Sequence, residues 1–189
     1  MSERNTWIRS LHDLGLAAWF GGSLMGAVGL NGAAKDEGGS EKASARISSS
    51  GWAKWTPVNM AAIGAHLFGG GGLLVVNAHR VAGQQGVAAS TTAKTVVTAA
   101  ALAATAYARV LGKKVELASS TDPQDIEKAE KHPIDMDRTR RQLACVQWVV
   151  PALTGTLVVL NALHGEQQRP TEQLPGVWER ARSATHFMS

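Results

Sequence analysis

LGLAAWFGGSLMGAVGLNGAA, residues Leu14 to Ala34, contains no charged residue in 21 positions. A helix that crosses about 30 Å of hydrocarbon needs about 20 such residues. Two further windows of 21 residues, Val58 to Ala78 and Leu143 to Leu163, are also free of charge. In a chain of 189 residues, 44% of them hydrophobic and 18% charged, the mean hydropathy is near zero only because the charges are segregated between these windows. The segregation predicts an integral membrane protein and argues against a soluble enzyme. A disulfide scaffold is excluded as well, since Cys145 is the single cysteine. The first window is longer than the roughly 7–15 residue core of a cleavable signal peptide, so it reads as a retained helix.

Working outward from these windows, the chain reads as one all-α domain, a four-transmembrane-helix up-down bundle. The helices are expected at about 7–34, 56–82, 88–112 and 137–165, with a polar tail over 166–189. Segment 35–55 mixes Lys, Glu, Ser and Gly and reads as a solvated loop with room for one short helix, and Trp52 and Trp55 mark the return to the interface. Thr56-Pro57 reads as an N-cap with proline at the first helical position. The third helix has a short uncharged core, Thr95 to Ala108, rich in alanine and threonine, which suits packing against other helices. Asp122-Pro123 predicts a short surface helix from Pro123 to Lys131. Asp135 or Asp137 caps the last helix, which Pro151 is expected to kink.

The net charge of +4 carries Lys and Arg interleaved with Asp and Glu, a topology signal rather than a nucleic-acid surface. Twelve of the 19 basic residues fall on the side of the two long loops, 35–55 and 113–136, which predicts cytoplasmic loops in a multi-pass protein of the plasma membrane.

Within the first helix Gly15, Gly22 and Gly29 recur every seven residues, and Gly22 with Gly26 forms a GxxxG. Such a face lets another backbone approach closely, in this chain, in a second copy or in another membrane subunit. Histidine is the reactive residue type that recurs at membrane depth. An up-down topology brings His12, His79 and His164 to one side, where neutral imidazoles ligate a metal or serve as helix-end residues that bond carbonyls. His66 is an intramembrane polar residue. It lies thirteen residues from His79, about 20 Å along a helix, which separates it from a compact site there.

Leu11-His12, Gly15 and Trp19-Phe20-Gly21-Gly22 resemble the opening motif of the copper-resistance D (CopD)-like membrane proteins, whose relatives include the HemJ-type protoporphyrinogen oxidases. The resemblance covers helix one, and the whole chain is similar to four-helix membrane proteins of actinobacteria. It implies a small helical membrane bundle, haem b or copper as the cofactor, His12 as the ligand to carry over, and Trp19, Gly21 and Gly22 as packing residues. It brings no oxidase activity with it, because no such motif is present in the other helices.

Three functions follow as expectations. The first is a non-catalytic accessory or assembly subunit whose partners are the lipid bilayer and other helices. The second is a haem- or metal-binding redox protein using His12 with His79 or His164. The third is a small transporter.

Overall fold

Ser40 and the two glycines before it set the first turn of the fold. The computed structural model describes residues 5–78, 85–131 and 134–166, and at 85–86 and 164–166 it describes the backbone alone. Helix α1 spans Thr6–Glu37, with a π turn at Gly26–Leu30. Helix α2 spans Glu41–Val76, α3 Gln85–Ser119, α4 Pro123–Lys131 and α5 Met136–Glu166. No strand occurs among the described residues. Helices α1, α2, α3 and α5 are each long and apolar enough to cross a membrane.

The expected solvated loop over 35–55 is largely helix. Only Gly38-Gly39-Ser40 separates α1 from α2, and Gly39 supplies the left-handed turn at φ 64°. Ser40 caps α2, its hydroxyl accepting from the Ala43 N–H at 3.2 Å. Thr56-Pro57 is therefore not a helix start, and Pro57 sits inside α2. The missing N–H of Pro57 deprives Ala53 of its usual partner, while the Thr56 hydroxyl bonds the Trp52 carbonyl at 2.8 Å. Tertiary packing supplies what helix propensity lacks here. Trp52 lies on Gly26 and Trp55 on Gly22. Helix α3 is longer than the expected 88–112 at both ends. Helix α4 has the expected bounds, and the Asp135 carboxylate caps α5 through the Arg138 N–H at 2.9 Å. The expected tail lies outside the described residues beyond 166.

Helices α1 and α2 run antiparallel in close contact. Ile8 meets Gly72, Gly15 meets Ala62 and His66, and Leu30 meets Gly51. The Gly69 to Gly72 run stays helical. On α5, Gly155 takes Phe20 and Gln147 bonds Asn31, an order that makes α1 and α5 antiparallel too. The Arg140 guanidinium bonds Glu41 at 2.5 Å and ties the start of α5 to the start of α2. At the centre Trp19, Ala101 and Val150 form a small buried cluster with Ile63, Leu102, Ala104 and Leu153 packed against it. Leu16, Leu111 and Leu157 are buried as well, but many large apolar side chains point outward, among them Phe68, Val75 and Leu14, exposed by 75%, 77% and 69%.

Candidate functional site

The same four-residue pattern occurs on both helices of the α1–α2 pair: His12-Asp-Leu-Gly15 and His66-Leu-Phe-Gly69. Histidine and glycine one turn apart share a helix face. Antiparallel packing then sets each histidine against the other helix's glycine. A Cβ added to Gly15 would lie 2.5 Å from the Ala62 oxygen and the His66 nitrogen. One added to Gly69 would lie 2.6 Å from the His12 nitrogen. Only glycine lets the two backbones come this close.

That approach stacks the imidazoles, with ring centroids 4.1 Å apart and planes 20° from parallel. His12 Nδ1 donates to the His66 carbonyl at 2.9 Å, and His66 Nδ1 donates to the His12 carbonyl at 3.2 Å. A carbonyl only accepts, so each Nδ1 carries the proton and each Nε2 presents a lone pair. Asn161 of α5 reaches His12 Nε2 from Nδ2 at 3.5 Å. The Trp19 ring stands edge-on to His66 at 6.1 Å. Its Nε1 donates to the Thr105 hydroxyl at 3.1 Å, and that hydroxyl donates to the Ala101 carbonyl at 2.8 Å. His66 and Trp19 are both buried. The pair borders a cleft of about 440 Å³ whose polar wall includes Arg9, Asp13, Lys94 and Asn161.

A second polar chain lies at the other end of α1, just past the π turn. Trp52 Nε1 donates to Asn31 Oδ1 at 2.9 Å, and Asn31 Nδ2 donates to Gln147 Oε1 at 2.7 Å. One asparagine thus joins α2, α1 and α5.

Of the histidines expected to converge, His12 is described, and its ring meets His66. His79 lies outside the described residues, and His164 belongs to the last turn of α5, where only the backbone is described. His66, expected apart from His12, instead stacks on it, because the glycines fix the register of α2 against α1. Rings stacked at 4.1 Å leave no space between them for an iron or copper ion. Among the described residues no three His, Cys, Asp or Glu side chains are grouped to hold a metal. Gly15, Trp19, Gly22 and Gly26 face the α1 contacts, whereas Gly21 and Gly29 lie off them, both on the exposed side. Cys145 is exposed on α5.

The legible signal for the pair is the repeated H-x-x-G itself, which depth counting from His79 overlooks. Its energetics are testable. His12→Ala and His66→Ala each remove one net hydrogen bond and the ring stack, together about 1–2 kcal/mol. Because the stack is shared, the double variant should lose less than the sum of the singles, read as thermal unfolding in detergent. Strict additivity would show that the rings do not interact. No protein-family model, no curated protein and no solved structure matches the chain.

Proposed function

We propose that this chain is a multi-pass protein of the plasma membrane, an up-down bundle of four spans with the α1–α2 turn and the α3–α5 connection on the cytoplasmic side, and that it acts as a non-catalytic accessory or assembly subunit. The observation that carries the reading is the outward-facing apolar surface. Phe68, Val75, Val96, Val159 and Leu163 are exposed on helices that bury little of their own span. Soluble monomers rarely expose contiguous apolar patches beyond a few hundred Å². In a bilayer that surface is solvated by acyl chains. The antiparallel contacts of α1 with α2 and with α5 support the up-down order.

The glycine face of α1 is occupied by α2 within the chain, so it is not the surface that meets partners. The outer face of α3 fits that task better. Ala93, Ala100 and Ala103 are exposed there, and small residues allow a neighbouring helix to approach. The histidine pair then acts as a staple: two reciprocal bonds and a stack hold α1 to α2 where hydrophobic driving force between helices is absent.

Alkaline carbonate washing of membranes should leave the protein in the pellet. Release into the supernatant would overturn the membrane reading. Mild detergent should extract it in an assembly larger than one chain, and a purely monomeric species would overturn the accessory reading.

A further inference from the structure

The two helix pairs, α1 with α2 and α3 with α5, leave a groove of about 1200 Å³ between them. Its inner end is apolar, formed by Ile63, Leu102 and Val150 beside the Trp19 cluster. From Ile63 to Ser48, both lining it, fifteen residues of α2 rise about 22 Å. That exceeds the roughly 15 Å of half a hydrocarbon core, so the groove accepts an acyl chain together with the polar end that follows it.

The polar atoms along this wall are incompletely paired. Trp55 Nε1, a donor, and Asn59 Oδ1 and Glu116 Oε2, both acceptors, are buried without a hydrogen-bond partner. Such groups are costly inside a membrane, where no bulk water satisfies them. Arg109 stands 3.7 Å from Glu116 Oε2, an ion pair too long for a hydrogen bond. Charges lining the outer part of the groove balance: Lys35, Arg109 and Arg140 against Asp36, Glu41 and Glu116. Glu116 Oε1 accepts from Lys113 at 2.8 Å, so a ligand that completes this wall presents an acceptor to Trp55 and Arg109 and an N–H donor to Glu116 Oε2.

We propose that the groove binds one glycerophospholipid with a zwitterionic, primary-ammonium headgroup. Its acyl chain lies against Ile63, Leu102 and Val150. Its ester and phosphate oxygens accept from Trp55 and Arg109, and its ammonium, at the outer end, donates to Glu116. A quaternary choline headgroup has the same charges but no N–H, and an anionic glycerol headgroup lacks the cation. The site rests on the membrane reading proposed above, from which the lipid must come.

Gly64 and Gly112 provide a way to fill the groove. Both line it, and a Cβ at either meets nothing within 4 Å. The full-length protein is stripped of lipid in detergent and exposed to mixed micelles of equal parts phosphatidylethanolamine, phosphatidylcholine and phosphatidylglycerol. Native mass spectrometry then counts the lipids retained. One retained phosphatidylethanolamine is expected, favoured over the other two by about tenfold or more because they leave donors or acceptors unmet. Gly64→Leu/Gly112→Leu should lose it with helix content and elution volume unchanged. Equal retention of the three lipids, retention of none, or full retention by the filled variant would overturn the proposal. A protein that survives the carbonate wash and holds no lipid fails this inference alone, whereas release by carbonate fails the membrane reading as well.

Discussion

Leucine in place of Gly15 is expected to open the α1–α2 pair and to remove most folded protein from detergent extracts. An added Cβ would meet the Ala62 carbonyl oxygen and the His66 nitrogen, and backbone on a packed helix cannot step aside as a side chain can. Overpacking typically costs about 1–3 kcal/mol where neighbours can adjust, and here they cannot, so the loss should exceed that range. The histidine staple is lost with it, because separated backbones carry both carbonyl acceptors away. Gly22→Leu should do less harm, since its clash is with the Trp55 ring, which has rotamers to use. Gly21→Leu should be tolerated, with nothing within 4 Å of its Cβ. Thermal unfolding of the three variants in one detergent checks the order. Equal effects at 15 and 21 would mean that the backbones do not approach as described.

The second large effect is expected at Trp19. The ring has 0% exposure, joins the Ala101 and Val150 cluster, and bonds Thr105 across to α3. Trp19→Ala should cost about 3–5 kcal/mol through the cavity it leaves. Trp19→Phe keeps most of the volume and loses only the Nε1 bond, a net change of about 1 kcal/mol. The gap between the two variants in unfolding temperature measures packing against hydrogen bonding. If they behave alike, Trp19 acts through Thr105 and not as the centre of the core.

Three of the four long apolar helices were legible in the sequence, because each contains a window of 21 residues without charge, the length that crossing a bilayer would need. The short helix at Pro123–Lys131 and the Asp135 cap were legible for a similar reason, since local chemistry alone decides them. Residues 41–55 were not. Their Ser, Lys and Ala pattern has no apolar period, and they are helical because Trp52 and Trp55 dock on glycines of a different helix, a contact no local window contains. Pro57 misleads in the same way, since proline at the first turn and proline within a packed helix read identically along the chain. The packing face of α1 was half legible: Gly15, Gly22 and Gly26 are on it, while the seven-residue recurrence extends to Gly29, which the π turn leaves outside. The histidine pair escaped because its partner choice is a matter of register between helices, and register is fixed by where glycine permits contact.

Four crossings, with the α1–α2 turn and the α3–α5 connection on one side, can be tested by cysteine accessibility. In a Cys145→Ser background, single cysteines at Thr6, Ser40 and Thr121 are treated in intact cells with an impermeant thiol reagent. Thr6→Cys should label at once, and Ser40→Cys and Thr121→Cys only after the membrane is permeabilised. The mirror pattern would keep four crossings and reverse the orientation. Labelling that puts Ser40 and Thr121 on opposite sides, or Thr6 and Ser40 on the same side, would contradict the four-span account.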